Sequence, residues 1–483
     1  MGRGQIRPHC VEWVCVRSGA LRRGPSLKPV CGLALGLWAG AVPALAQEAG
    51  GGQVFRFGFE QRFSVNDNQR LDPISAGTTT SSDTRLSFGY LTETRTQRFE
   101  FNLDGVARLV DDPVNGNQSD LSDAGAELRY TRANANSRFE LFATYDRTDL
   151  SFADPLAVET LDNQDVFSGG GEREDVRAGL NLETGMQAPL GFVLNLEARE
   201  RTYSGTTDPL LFDNETYSGS TGARFQISPV LRARLDVSAS RYSAEDAVQT
   251  RTDTDTITAG LGYQLATGML DIDIGRSEVD QTFDAVPGTR NVTRGTVGTI
   301  AYTQGLPDGQ LTASLDTAVT QRGRQTTLEF GRVFTFPTSQ LDISVGATRG
   351  DTFDARAIGR LAFTADMPRG SFNVGLTRSV AISDIVSQAT ETTRADLGYR
   401  MDVNPISSLS LAVYYTDISA IGPAPAGTDR QRGSLTATYS REIARDWEFQ
   451  VGYEHRYFNP QGGNSASSNQ IFFALQREFE FLR

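Results

Sequence analysis

The sequence predicts an all-β fold, a transmembrane antiparallel up-and-down β-barrel of about 22 strands with no plug domain in its lumen. Three observations predict it. Apolar and polar residues alternate with period two over stretches of about 10 to 13 residues, and helical periodicity is nearly absent. The links between these stretches take turns at being short and long. The stretches also match the roughly 9 to 11 residues that a strand tilted near 45° needs to cross a bilayer, and exceed the roughly 5 to 6 usual in propellers and sandwiches.

The alternation runs the length of the chain. Phe55, Phe57, Phe59, Phe63 and Val65 share one face, with Arg56, Glu60, Arg62 and Ser64 on the other. Phe99, Phe101, Leu103, Ala107 and Leu109 oppose Arg98, Glu100, Asn102, Asp104 and Arg108 in the same way. Further stretches follow at Phe139/Leu141/Ala143/Tyr145, Phe192/Leu194/Leu196/Ala198, Leu231/Ala233/Leu235/Val237, Leu341/Ile343/Val345/Ala347 and Leu409/Leu411/Val413/Tyr415. The last is Ile471, Phe473, Leu475, Phe479 and Phe481, alternating with Phe472, Ala474, Gln476, Glu478 and Glu480.

Short links are expected near Thr94–Gln97, Ala133–Ser137, Ala188–Gly191, Ser228–Val230, Ala266–Gly268, Leu306–Gly309, Pro337–Ser339, Met367–Gly370, Asn404–Ser407 and Ile443–Asp446, where Pro, Gly, Asn and Asp supply turn geometry. Mostly longer polar links lie between them, over about 66–82, 110–123, 150–172, 204–213, 243–253, 281–291, 382–390, 419–430 and 459–468. Two links of this second kind, near 322–325 and 350–354, are short.

At the N-terminus, Arg22, Arg23 and Lys28 precede an apolar run from Val30 to Val42 and an Ala44-Leu45-Ala46 site. This predicts a secretory signal peptide over 1–46, with a long preamble, and a barrel over 47–483. The apolar run is too short for a spanning helix, which needs about 20 residues. Residues 47–483 carry 40 Arg, no Lys and 58 carboxylates, a formal charge of −18. So acidic a chain is a poor partner for phosphate backbones, and no nucleic acid is expected. All three cysteines, Cys10, Cys15 and Cys31, precede Gln47, which leaves the exported chain without thiols or disulfides.

With these strands, links and signal, the chain over residues 53–483 resembles the broad class of Gram-negative outer-membrane β-barrels, without a motif that selects one family. The resemblance implies residence in the bacterial outer membrane, contact with its lipid and lipopolysaccharide, and recognition by the barrel assembly machinery. Many such barrels end on a terminal aromatic residue; here Leu482 and Arg483 follow Phe481. It implies aromatic girdles at Tyr90, Tyr130, Tyr145, Tyr399, Tyr453 and Tyr457. It assigns no oligomeric state.

Within this frame the lumen-lining residues are expected to be Arg56, Glu60, Arg62, Arg98, Glu100, Asp104, Arg108, Arg138, Glu140, Glu197, Arg199, Arg232 and Arg234. Both signs on neighbouring strands can form cross-strand ladders. His455, the one histidine after residue 46, falls on the outward face with Val451, Tyr453 and Tyr457, suiting an interfacial belt rather than a catalytic base. Asp111, Asp112, Asn115, Asn117, Asp120 and Asp123 offer oxygen donors without EF-hand spacing, as do Asp149, Asp154, Glu159, Asp162 and Asp165, and read as solvated acidic loops. There is no nucleophile elbow, HExxH or phosphate-binding glycine loop, so no catalytic residue, metal or cofactor is expected.

Few residues separate Gln47 from the first strand, which leaves no expected room for an N-terminal plug. The expected function is a passive, porin-like channel for a hydrophilic solute or an exported polymer, narrowed by the 150–172 link. The alternative is a closed surface-interaction barrel whose long loops bind a partner. N-terminal sequencing of the exported chain is expected to begin at Gln47; a start further upstream would refute the cleavage site.

Overall fold

The computed structural model describes residues 52–153, 170–206, 208, 211–286, 288–383, 388–422 and 429–482. The chain divides into two units, Met1–Ala49 and Gly50–Arg483, and every described residue belongs to the second. The expected signal peptide lies outside the described residues.

Alternation becomes a ring of strands. The first seven are β1 (Gly52–Asn66), β2 (Thr79–Glu93), β3 (Gln97–Asp112), β4 (Gly116–Ala133), β5 (Ser137–Asp149), β6 (Glu172–Thr184) and β7 (Leu190–Ser204). The next eight are β8 (Asn214–Ser228), β9 (Leu231–Ala244), β10 (Thr250–Gln264), β11 (Gly268–Phe283), β12 (Arg290–Leu306), β13 (Gly309–Thr320), β14 (Gly323–Thr335) and β15 (Ser339–Gly350). The ring continues through β16 (Phe353–Met367), β17 (Gly370–Ser383), β18 (Gln388–Asn404), β19 (Ser407–Ala420), β20 (Arg430–Ala444), β21 (Trp447–Pro460) and β22 (Ala466–Leu482). Each pairs antiparallel with the next, and β1 pairs with β22 from Val54↔Leu482 to Asn66↔Gln470. The 22-stranded sheet is therefore closed and has no edge.

The turn chemistry places both ends of the barrel. All ten short links fall at the end shared by the start of β1 and the end of β22; nine carry Pro, Gly, Asn or Asp, and in the tenth the Gln97 N–H donates to Thr94 Oγ1 at 3.1 Å. Gly309 has φ 138°, and a Cβ there would stand 2.0 Å from the Val333 carbonyl oxygen, so only glycine fits that turn. In the same turn Asp308 accepts a hydrogen bond from Arg332 at 2.5 Å, which holds its carboxyl below the usual carboxylate range. That pair favours the fold above the ordinary carboxylate pKa, and its contribution is lost as pH falls through the depressed one.

Two expectations about length are corrected. Strands run from 12 residues in β13 to 18 in β4, longer than the alternation suggested. The extra residues lie toward the long links, where on strands such as β6, β10 and β11 both faces are polar and period two has no apolar partner to mark it. The link expected over 110–123 is only Pro113–Asn115, because Asp112 Oδ1 accepts the backbone N–H of Val114 and Asn115 at 2.9 and 2.8 Å and folds a tight turn. Most of that acidic stretch is strand rather than loop.

Register sorts the side chains into two faces that stay separate around the ring. Phe57 stands opposite Phe88 and Phe479, and Phe88 opposite Leu103. Arg62 stands opposite Asp83, and Asp83 opposite Arg108. A cavity lined by the polar face of β1 to β6, β21 and β22 identifies that face as the concave, inner one. The apolar face then points out, and near the short turns it carries an aromatic row, with ring centroids of Phe55–Tyr90 at 4.9 Å, Tyr90–Phe99 at 6.0 Å and Tyr130–Phe139 at 6.2 Å. His455 lies on this outward face and shares a 2.9 Å hydrogen bond between Nδ1 and Asn469 Oδ1.

Polar bonds lock the closing seam. Asn66, 1% exposed, accepts from Ser468 Oγ at 2.7 Å and from the Asn68 N–H at 2.8 Å, while Asn68 Nδ2 donates to the Ser467 carbonyl at 3.0 Å. Asn66→Leu leaves two buried donors unmatched and is expected to cost about 1–3 kcal/mol, read as a lower urea midpoint for loss of the heat-modifiable band in vesicles.

Candidate functional site

The inner face is unequal around the ring. On β1 to β7 it carries arginines and carboxylates along most of its height. Half-way round, toward the long links, β9 to β11 present Ser238, Ser240, Thr254, Thr256, Thr258 and Ser277, with Thr256 and Ser277 hydroxyls 2.8 Å apart. Toward the long links, then, one wall is charged and the facing wall is neutral and hydroxylated; nearer the short turns that facing wall carries Arg232, Arg234, Asp271 and Asp273.

The charged wall centres on Arg108. Its side chain is 8% exposed; Nε donates to Asp83 at 3.1 Å, Nη2 donates to Asp123 at 2.8 Å, and Nη1 lies 3.6 Å from Asp149. Its guanidinium also stacks 4.3 Å over the Phe152 ring. Local backbone geometry brings these partners together. The β3–β4 register shifts between Asp104 and Val106, and Asp123 takes φ 49° in the bulge, which aims its carboxylate inward. Asp123 then accepts the Asp149 N–H at 3.0 Å, and Asp149 accepts the Ser151 N–H at 2.9 Å. Leu150 is buried with Leu211, Ala153 and Tyr203, so the start of the 150–172 link is fastened to the barrel wall. The remainder of that link, 154–169, lies outside the described residues.

Next to this node lies a cavity of about 490 Å³, lined by Glu60, Arg62, Asp83, Arg85, Asp104, Arg108, Arg147, Arg173, Glu454 and Arg456 among others. Arg62 lies 3.9 Å over the Phe472 ring. Arg85 is exposed to the cavity and makes no ion pair among the described residues. Arg456 reaches Glu454 at 3.8 Å and the Gln69 carbonyl at 3.4 Å. Guanidinium groups held open in this way can take a ligand carboxylate, phosphate or phenolate with two N–H groups at once.

All thirteen residues singled out from sequence stand on the polar face, in separate groups. Glu60, Arg62, Asp104 and Arg108 line the cavity. Arg56 pairs with Glu480 at 3.1 Å, Arg98 with Glu100 at 3.1 Å and Arg138 with Glu140 at 2.9 Å, all nearer the short turns. Glu197 takes both arms of Arg177 at 2.7 and 2.8 Å, and Arg199 and Arg201 converge on Asp175 at 2.5 and 3.0 Å. Arg234 reaches across β10 to Asp273 and Asp271, the latter at 2.7 Å. That reach requires Gly260, where a Cβ would stand 1.9 Å from Asp273 Oδ1. Arg232 lies beside the neighbouring Gly262, its Nε buried and without a hydrogen-bond partner.

Several charged residues of the inner face were not among those singled out from sequence: Asp83, Arg85, Asp123, Arg173, Asp175, Arg177, Asp271, Asp273, Glu454 and Arg456. Asp271 and Asp273 alternate with Ile272 and Ile274 and were open to discovery by periodicity. Asp123 was not, because the bulge reverses its parity. Among the described residues no group of three or more His, Cys, Asp and Glu is arranged to hold a metal ion.

No protein-family model matches the chain, and no curated protein matches it. Solved structures do. The ferric-catecholate import receptor Fiu from E. coli K12 in its open form matches with a TM-score of 0.56 at 9% identity, over 89% of this chain and 82% of that one. The FrpB iron transporter from Neisseria meningitidis matches with a TM-score of 0.56 at 9% identity, over 90% and 83%. The copper transporter OprC matches with a TM-score of 0.52 at 10% identity, over 90% and 81%. At such identities the likeness is one of fold, and that fold is the 22-stranded barrel of the bacterial outer membrane.

Two expectations are corrected by these matches. The fold was read as a barrel with no plug domain, but outer-membrane transporters of 22 strands have plugged lumens. No plug stands among the described residues, and residues 1–51 lie outside them. The function was read as a passive porin-like channel, or a closed surface-interaction barrel, whereas the matched structures are an import receptor and transporters of particular ligands. The step from a plugless, charged lumen to a passive pore therefore falls.

Replacing Arg108 with Leu would leave Asp83, Asp123 and Asp149 facing one another without a cation. Because each of these carboxylates keeps some exposure, the expected loss is toward the lower end of the about 3–5 kcal/mol for breaking a buried pair, measured by urea unfolding of the barrel in vesicles.

Proposed function

We propose that the protein is a ligand-selective import barrel of the bacterial outer membrane, exported through a signal peptide cleaved before Gln47. It admits an anionic solute, of which a metal chelate is the favoured class. The observation that carries this reading is the cavity beside Arg108, which Arg62 and Arg85 line without an ion pair among the described residues, while Arg108, Arg147 and Arg456 are held by carboxylates. A lumen in which most charges are already paired selects for a ligand able to compete for the remainder. The kinship of fold with a ferric-catecholate import receptor, an iron transporter and a copper transporter supports a metal-bearing ligand.

The test is accumulation of radiolabelled ferric chelates and copper by cells that carry this barrel and lack their own receptors. Saturable uptake is expected for at least one anionic chelate. A hydrogen bond to a charged group contributes about 1.5–3 kcal/mol, so Arg62→Gln with Arg85→Gln should raise the half-saturating concentration by about tenfold or more. Linear, unsaturable entry that also passes neutral sugars would overturn the proposal.

A further inference from the structure

The outward face also changes character around the ring. On β1 and β3 apolar side chains continue to the long-link rim, with Phe63, Val65 and Leu109 each more than half exposed. On β9 to β11 the apolar run stops sooner, at Val237, Ile257 and Ile274. Arg241, Asp255 and Arg276 then stand at about 8 to 10 residues from the short turns, where a strand tilted near 45° is leaving the hydrocarbon after about 9 to 11. Further up, Arg241 Nε meets Asp253 at 2.6 Å, Arg251 Nε meets Asp253 at 3.1 Å, Arg294 Nη2 meets Glu278 at 2.6 Å, and Arg290 pairs with Asp280. Arg276 is exposed and has no ion pair among the described residues.

Charge on the lipid-facing side is costly in mid-membrane and tolerated only at its interfaces. Arg276, Arg241 and Arg294 stand about 8 to 12 residues from the short turns, in the band of the outer-leaflet headgroups since the long links face outward, and Arg251 and Arg290 stand higher on the same arc. Planar guanidinium groups bind phosphate through two N–H groups at once, and apolar side chains lie directly beneath them. Above the belt both signs alternate, leaving no apolar patch for a second barrel to bury.

We infer that the outward arc of β9 to β12 is a docking surface for the phosphorylated, multiply acylated lipid of the outer leaflet, a lipopolysaccharide. Its phosphates sit on Arg241, Arg276 and Arg294, and its acyl chains run along Val237, Ile257 and Ile274. The inference rests on the outer-membrane fold and is independent of the imported ligand.

The experiment follows the midpoint of heat-modifiability of the full exported chain in detergent micelles, titrated with deep-rough lipopolysaccharide and with the same lipid stripped of phosphate. Intact lipid is expected to raise the midpoint and the stripped lipid to leave it nearly unchanged. The triple variant R241Q/R276Q/R294Q should lose most of the shift, whereas Arg349→Gln, an outward arginine on β15 outside the arc, should keep it. An equal shift with stripped lipid would overturn the inference, as would an undiminished shift in the folded triple variant. A lipid-free dimer of the native chain that the triple variant abolishes would also overturn it, in favour of a contact between copies.

Discussion

A backbone that crosses lipid must satisfy its own hydrogen bonds, and the pairing of β1 with β22 is where this chain meets that demand. Everything else in the fold is bound by that closure. A closed sheet has an inside and an outside, so each strand must arrive with its polar side chains in phase with those of both neighbours. A slip of one residue anywhere would send a row of arginines into lipid. The β3–β4 bulge shows how narrow the tolerance is. It displaces the register at Asp104/Val106, and the parity of β4 reverses with it, so that Leu121 remains outside while Asp120 stands opposite Arg108 inside. The irregularity costs some regular pairing and delivers Asp123 to Arg108.

The same closure explains why the lumen is so heavily ion-paired. Lipid accepts few charges, so the inner face must hold most of them, and isolated charges on a curved wall would repel their neighbours. Cross-strand pairs solve this where opposite signs fall in register, as in Asp175–Arg201. Where they do not, a side chain must cross a strand. Arg234 crosses β10 only because Gly260 leaves the way clear, so a residue without a side chain determines where an ion pair forms.

Much of this was legible in the chain. The strand count and the positions of the short turns followed from period two and, at nine of the ten, from Pro, Gly, Asn or Asp, because both are local signals. The two faces were legible for the same reason, down to His455 on the outside. Cross-strand partners were not, since register couples residues as distant as Arg56 and Glu480 and is fixed only when the ring closes. The turn at Pro113–Asn115 was hidden by an acidic run that resembled a loop, although Asp112 caps the turn with its own carboxylate. Function was the least legible, because a barrel's strand number speaks to its width and leaves open what fills or crosses it. The plugless, passive reading took the few residues between Gln47 and the first strand as a statement about the lumen, which strand periodicity alone does not make.

The division of the lumen into two walls bears on how selectivity could arise. A ring of unpaired charges would attract any counter-ion and hold it loosely. A wall whose charges are already matched behaves differently, because an entering ligand gains only the difference between its own bonds and those it displaces. Arg108, with three carboxylates about it and Phe152 on its face, is expensive to displace. Arg85, exposed to the same cavity, and Arg62, resting on Phe472, are cheaper. The facing serines and threonines add weak, adaptable donors and acceptors without competing charge. A ligand whose anionic edge meets the free arginines and whose polar edge meets the hydroxyl wall would disturb none of the pairs that hold the barrel together, and this arrangement keeps binding separable from stability.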